Sequence, residues 1–224
     1  MFDIKVVVLC GGRGLRLNEL TQDIPKSMIM IKGRPVLWHI CTHFQSFGFN
    51  EFIFCLGYKG EMIKDYFKHE DFKIKYSTGQ VDATKTERLM LVEDLIKDKE
   101  FFLTYGDDLC DVDLNKLLEL HKSRDKIATL TAVKMPCEFG ILKFRKNIVT
   151  RFQEKPDLDQ YINGGYYVLL DIIFSAIKLN GALEEKVLPH LAVVGQLIAY
   201  KHTGFWKSIN TLKDVKELNQ NGLP

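Results

Sequence analysis

A chain of 224 residues with 46% hydrophobic content is long enough to bury the core of one sizeable α/β domain. Its 31 basic and 29 acidic residues nearly cancel, so no strong field favours nucleic acid and no polybasic run favours a membrane surface. No apolar run approaches a membrane span, and the opening Met1-Phe2-Asp3-Ile4-Lys5 lacks the basic-then-apolar layout of a signal peptide.

Lys5 to Cys10 is a short β-branched run ending at Gly11-Gly12, which predicts a buried strand feeding a loop. Pro35 to Phe47 predicts a helix with proline in its first turn. Strands are expected at Glu51 to Leu56 and Phe72 to Ser77, with a helix at Gly60 to Phe67 between them. Thr86 to Ile96 predicts a helix with Leu89, Val92 and Ile96 on one face. A strand at Phe101 to Tyr105 stops at Gly106, followed by a helix at Leu114 to Ser123 and a strand at Lys126 to Val133. This alternation predicts an α/β fold, with a Rossmann-like, mostly parallel open sheet and helices on both faces. Short strands at Gly140–Phe144, Val149–Glu154 and Tyr161–Leu169 predict a small antiparallel extension, and a last helix covers Leu212 to Gln220. No repeat, low-complexity tract or linker interrupts the chain, so residues 1–224 are expected to form a single domain.

The five cysteines, Cys10, Cys41, Cys55, Cys110 and Cys137, are scattered and form no C-x-x-C pair. That spacing argues for reduced, mostly buried thiols in a cytoplasmic protein and against a zinc cluster. His39, His43, His69, His121, His190 and His202 lie in unrelated contexts and are expected to be structural or solvent-facing. No Ser/His/Asp or Cys/His set is apparent.

Open α/β sheets bind ligands beyond the carboxyl ends of their strands. The first strand runs into Gly11-Gly12-Arg13-Gly14-Leu15-Arg16-Leu17. Glycines let backbone N–H groups approach phosphates, and the two arginines add paired donors. A dinucleotide fingerprint fails because Leu17 stands at its last glycine, and a Walker loop fails for want of G-K-[ST]. Pro25-Lys26-Ser27-Met28 follows closely, with proline fixing the backbone beside Lys26. Taken singly, the loop reads as a glycine-rich turn with solvated arginines and Lys26 as a surface charge. Gly106-Asp107-Asp108 ends a later strand, where paired aspartates either cap a turn or hold the Mg²⁺ or Mn²⁺ that accompanies a triphosphate.

Together these stretches resemble sugar-phosphate nucleotidyltransferases. The resemblance rests on Leu9 to Leu17, Thr21, Pro25-Lys26-Ser27-Met28, Pro35 to Ile40 and Gly57-Tyr58-Lys59-Gly60. It continues through Thr104-Tyr105-Gly106-Asp107, Glu154-Lys155-Pro156, Asn163-Gly164-Gly165-Tyr166 and Gly204-Phe205-Trp206, and is strongest to the glucose-1-phosphate cytidylyltransferase branch. It implies nucleotide binding by Cys10, Gly11, Gly12, Arg13 and Gly14, with Arg16 and Lys26 as the catalytic cations. It implies metal binding by Asp107 and acceptor binding by Gly140, Glu154, Lys155, Asn163 and Gly164. The implied partners are CTP, a small phosphorylated substrate and Mg²⁺ or Mn²⁺; a homo-oligomer is a further expectation, while nucleic acid and membrane are not expected.

Two departures stand out. The family's second metal carboxylate falls on Asn210, which offers an oxygen but no charge. The stretch between Phe67 and Thr86 is short, and Thr84-Lys85-Thr86-Glu87-Arg88-Leu89 stands where the branch carries Gly-Gly. These features resemble a compact offshoot, the CTP:phosphoglutamine cytidylyltransferases of capsule phosphoramidate synthesis. That resemblance implies L-glutamine phosphate as acceptor and CDP-L-glutamine as product. Glucose 1-phosphate is the alternative acceptor, and a nucleotide-binding relative that has lost catalysis is the alternative to an enzyme.

Overall fold

The computed structural model describes residues 4–14, 17–96, 100–134, 137, 139–156 and 158–223. In chain order, β1 (Val6–Leu9) is followed by α1 (Asn18–Thr21), a 3-10 turn at Lys26–Met28 and a ribbon of β2 (Met30–Ile31) and β3 (Arg34–Pro35). Then come α2 (Val36–Ser46), β4 (Glu51–Leu56), α3 (Gly60–Phe67), β5 (Lys73–Thr78) and α4 (Lys85–Met90). After a 3-10 turn at Glu93–Leu95 the chain forms β6 (Glu100–Tyr105), β7 (Asp108–Cys110), α5 (Leu114–Arg124) and β8 (Ala128–Lys134). The remainder is β9 (Ile141–Arg145), β10 (Ile148–Gln153), β11 (Tyr161–Leu170), α6 (Ile173–Asn180), a π turn at Leu183–Val187, α7 (Leu188–Val193), β12 (Leu197–His202), β13 (Trp206–Ser208) and α8 (Leu212–Asn221). Among the described residues no helix is long and apolar enough to cross a membrane.

Seven strands form one sheet in the order β12-β8-β11-β6-β1-β4-β5. β1 is parallel to both β4 and β6, β4 to β5, and β8 to β12. β11 runs antiparallel between β6 and β8. The expected α/β sheet is therefore present, but β11 is a central strand rather than part of an extension. Its run from Gly164 to Leu169 is continuously buried, the pattern of a strand covered on both faces. The extension that does exist is the separate hairpin of β9 and β10.

Alternation along each strand divides the core. Val6, Val8, Phe52, Phe54, Phe102, Tyr166 and Val168 pack on one face with α2, α3, α5 and α8. Val7, Leu9, Ile53, Cys55, Phe101, Leu103, Tyr167 and Leu169 pack on the other with α4, α6 and α7. Burial of each such side chain contributes about 1.5–3 kcal/mol. Phe44 of α2 is the hinge of the first face, stacking on Tyr166 at 5.8 Å and meeting Phe102 edge-on at 5.3 Å.

The helix expected over Thr86 to Ile96 is shorter than its apolar spacing. It begins one residue earlier, because Thr84 caps it through a Thr84/Glu87 capping box, and ends at Met90. The chain then turns and resumes as the 3-10 segment, yet Leu89, Val92 and Ile96 are all buried as the spacing required. Nothing was expected between Leu169 and Leu212, where α6, α7, β12 and β13 lie. These are short elements punctuated by Gly181, Pro189 and Gly195, too brief to show a period. The free cysteines match their expectation: Cys10, Cys41, Cys55 and Cys110 are buried and unpaired.

Phe44→Ala should lower the unfolding free energy by about 3–5 kcal/mol in urea titrations, since it empties the aromatic hub. Ile148→Ala, on the exposed hairpin, should stay within about 0.5 kcal/mol of the parent.

Candidate active site

The register Leu9↔Cys55 and Leu9↔Tyr105 brings the carboxyl ends of β1, β4 and β6 level. The chain leaves β1 for β4 on one side and later returns to β6 on the other, so a crevice opens where the strand order reverses. A cavity of about 660 Å³ lies there. Its walls include Cys10, Gly11, Gly12, Arg13, Gly14, Lys26, Asp107, Asn163 and Asn210, residues drawn from across the sequence expectation.

Backbone bonds hold the glycine loop in this crevice. The Tyr58 amide donates to the Gly11 carbonyl at 3.0 Å, and the Gly106 amide to the Leu9 carbonyl at 3.0 Å. Gly14 has φ of +66°, and a Cβ there would lie 2.9 Å from the Lys26 Cβ, so only glycine lets the loop close over Lys26. Thr21 reinforces the turn by donating its hydroxyl to the Gly14 carbonyl at 2.9 Å. Arg13 stands at the open rim, paired with Asp82 at 3.1 Å in an exposed bridge that contributes little to stability. Cys10 faces inward with its thiol near the Cys55 carbonyl, and burial pushes its pKa well above the ordinary value. It is therefore an unreactive wall of the cavity. Arg16 lies outside the described residues.

At the foot of the cavity one ammonium joins three segments. Lys26 Nζ donates to Asp107 Oδ2 at 2.5 Å and to Asn210 Oδ1 at 3.1 Å. Pro25, extended at φ −68° and ψ 148°, delivers Lys26 to this point. Asp107 sits just past β6, and its carbonyl accepts the Ile209 amide at 3.0 Å. Asn210 is set by the start of α8: Asp214 accepts the backbone amides of Asn210 and Thr211 at 3.0 and 2.7 Å within a Thr211/Asp214 capping box. The neighbouring Ser27 lines the cavity, and its Oγ is buried without a hydrogen-bond partner among the described residues.

Asp108 also lines the cavity, and its carboxyl is pushed up to about 7, first by burial and then by the charge of Asp107. The β7–β13 pairing sets Asp108 opposite Ser208, and the Tyr166 hydroxyl donates to the Asp108 carbonyl at 2.9 Å.

The acceptor-side expectations divide. Asn163 lines the cavity, its amide oxygen accepting the Gly165 N–H at 3.0 Å while its Nδ2 donates to the Tyr167 hydroxyl. Gly164 is behind the wall, where its carbonyl accepts the Trp206 indole N–H at 2.9 Å. Gly140, Glu154 and Lys155 are not brought to the cavity. They lie at the base of the β9–β10 hairpin, where a Cβ on Gly140 would meet Phe152 at 2.7 Å and Glu154 at 3.1 Å.

Several cavity groups escaped the sequence reading. Tyr105 donates its hydroxyl to Glu184 at 2.7 Å and lies 2.7 Å from the Tyr167 hydroxyl. Lys85 binds the same carboxylate at 2.6 Å and stacks 4.0 Å above the Tyr105 ring. Burial works to raise the Glu184 pKa, but the hydrogen bonds from Lys85 and Tyr105 outweigh it and hold the group below its ordinary value. Arg88 is buried beneath the loop, donating to the Leu56 carbonyl at 2.7 Å and the Val81 carbonyl at 2.9 Å. A Cβ on Gly11 would fall 2.7 Å from its guanidinium carbon. The one sequence signal was an arginine on the apolar face that carries Leu89 and Val92. Arg88→Met should therefore cost about 2–4 kcal/mol in urea unfolding, because two buried carbonyls lose their donor. It should also weaken nucleoside triphosphate binding measured by calorimetry; a variant matching the parent in both would contradict this placement.

Comparison with known proteins identifies the family. The family described as Nucleotidyl transferase matches residues 5–222. A glucose-1-phosphate cytidylyltransferase of Salmonella typhimurium is 37% identical, covering 94% of this chain and 93% of its own. A Bacillus subtilis protein named as a probable glucose-1-phosphate cytidylyltransferase is 38% identical, covering 97% and 95%. Among solved structures, HddC from Yersinia pseudotuberculosis complexed with GMP-PN superimposes with a TM-score of 0.73 at 23% identity, covering 97% of this chain and 99% of that one. A Bacillus anthracis chain crystallised with sucrose gives a TM-score of 0.77 at 18% identity, covering 97% and 94%. The two structural likenesses establish the fold, and the matched span of sequence establishes that the chain belongs to the nucleotidyl transferase family.

Proposed function

We propose that this protein transfers CMP from CTP to the phosphate of a small acceptor and releases pyrophosphate. The observation that carries the reading is the Lys26–Asp107–Asn210 junction beneath a glycine loop, at the crevice where the strand order reverses. The names of the two sequence relatives support CTP as the donor.

The chemistry needs no protein nucleophile. A phosphate monoester is largely dianionic near pH 7, its second pKa being about 6. One of its oxygens can attack the α-phosphorus in line, forming a new P–O bond as the bond to pyrophosphate breaks and its electron pair leaves with that group. The barrier is repulsion between anions and charge gathering on the leaving group, which positioned cations relieve. Lys26 is held at the cavity foot and can turn from Asp107 to a phosphate oxygen. Arg13 belongs to the loop above it, whose glycines suit backbone N–H groups to a phosphate, and Arg16 follows three residues later in the sequence. Asn163 faces the acceptor side, together with Glu154 and Lys155 if substrate draws the hairpin base inward.

Asp107 and Asn210 direct two hard oxygen donors at a single cation, the Lys26 ammonium, so these residues fit Mg²⁺ or Mn²⁺. A divalent ion held there supplies Lewis-acid charge to the triphosphate oxygens. Asn210 leaves the donor set one negative charge short of a carboxylate pair, which favours Mn²⁺ over the more demanding Mg²⁺.

For the acceptor, the relatives' names support glucose 1-phosphate. L-Glutamine phosphate, giving CDP-L-glutamine for a capsule phosphoramidate pathway, is the second reading. It is favoured by the missing charge at Asn210, which lowers repulsion toward an acceptor carrying a further carboxylate.

Lys26→Ala and Arg16→Ala should each lower kcat/KM at least about 100-fold, roughly 2.7 kcal/mol of transition-state stabilisation, with unchanged circular dichroism. Near-normal turnover in both would refute the assignment. Chelator should abolish pyrophosphate release from CTP, Mn²⁺ should restore it better than Mg²⁺, and Asn210→Asp should shift the preference toward Mg²⁺. Assays with each acceptor under each metal decide between the two. A tenfold or greater advantage for glucose 1-phosphate in both metals removes the L-glutamine phosphate reading and leaves nucleotidyl transfer standing.

A further inference from the structure

A second cluster of chemically capable side chains lies outside the cavity, on the far end of the strand pair that carries Asp108 and Ser208. The Cys110 sulphur, a carboxylate oxygen of Asp111 and an imidazole nitrogen of His202 all lie within 4.8 Å of one another. His202 Nε2 is 2.8 Å from Asp111 Oδ1 and 3.1 Å from the Phe205 carbonyl oxygen. Both neighbours accept, so Nε2 carries a hydrogen shared between them. That hydrogen marks a point already surrounded by electron-rich atoms. Cys110 and His202 are each only 8% exposed, whereas Asp111 opens to solvent and leaves a path of entry. The turn is shaped around the cluster: a Cβ on Gly204 would fall 2.8 Å from the His202 ring and would also strike the Asp111 carboxylate. The Phe205 carbonyl accepts the Asp111 amide at 3.1 Å, which ties this turn to the end of β7.

We propose that Cys110, Asp111 and His202 form a site for one divalent transition-metal ion of the zinc type, with water from the open Asp111 side in the fourth position. Thiolate, imidazole and carboxylate in a three-ligand set are the donors such ions take, and a thiolate with an imidazole discriminates against Mg²⁺. On binding, the Cys110 thiol gives its proton to solvent, and His202 moves its ring proton to Nδ1 and coordinates through Nε2. The ligands come from β7, the residue after it, and the end of β12, so linear spacing in the sequence could not show them together. The ion would pin the Gly204–Phe205 turn to β7. That turn leads into β13, whose Trp206 holds Gly164 and whose far end reaches Asn210, so the site would stiffen the cavity floor without touching substrate.

The test uses Co²⁺ and Zn²⁺ alone as probes on the full chain. Co²⁺ should bind one equivalent and give a thiolate-to-cobalt charge-transfer band in the near ultraviolet, which Zn²⁺ abolishes and a large excess of Mg²⁺ does not. Cys110→Ser, with circular dichroism matching the parent, should lose the band. Should that variant not fold, Asp111→Asn decides, with an expected loss of at least about tenfold in Co²⁺ affinity. Absence of a thiolate band in the parent, its survival in folded Cys110→Ser, or unchanged affinity in Asp111→Asn would overturn the site.

Discussion

One ammonium group organises this molecule. Lys26 meets Asp107 and Asn210, residues 81 and 184 positions away in sequence. The contact closes only if the loop after β1, the end of β6 and the start of α8 all arrive at one point. Its side chains are mostly shielded, at 14% exposure for Lys26 and 29% for Asp107. A shielded ion pair gains little net stability, because desolvation offsets much of the Coulomb attraction. The rest of the fold must therefore hold it in place. The parallel trio of β4, β1 and β6 does so from below, the Gly14 turn from above, and the Thr211/Asp214 capping box from the side.

The same logic explains the charges behind the cavity wall. Arg88 gives the ends of β4 and the Val81 loop a common donor, and the close approach of its guanidinium leaves room only for glycine at Gly11 and Gly57. Lys85, Glu184, Tyr105, Tyr167 and Asn163 form one hydrogen-bonded chain from α4 to the cavity. A network with every member satisfied fixes geometry more firmly than its separate bonds suggest. Asn163 thus has its orientation set by a network that runs along the cavity wall to Glu184 and Lys85.

Sequence patterning reached the parts of this arrangement that are local. The β-branched run before Gly11, the strand ending at Tyr105 and the exact span of Glu51–Leu56 follow from short-range periodicity, and the structure bears them out. Gly11, Gly12, Arg13, Gly14, Lys26, Asp107, Asn163 and Asn210, singled out by the family resemblance rather than by periodicity, line one cavity. What depended on tertiary placement was not legible. Tyr161–Leu169 reads as an antiparallel strand, but nothing within it says that it lies between β6 and β8. Arg88 looks like a stray charge until the Leu56 and Val81 carbonyls converge on it. The motif around Glu154 and Lys155 was visible, yet its hairpin stands off the cavity, because among the described residues β9 and β10 pair only with each other.

In the proposed transfer the two substrates meet directly, with no covalent enzyme intermediate. An acceptor labelled with ¹⁸O in its phosphate, incubated with CTP and a divalent ion and sampled by rapid quench, tests it most directly. Direct transfer should give pyrophosphate only when acceptor is present, in equal amount to product. It also predicts one labelled oxygen bridging the acceptor's phosphorus and the cytidine phosphorus. A stoichiometric burst of pyrophosphate without acceptor, or a bridge lacking the label, would contradict it.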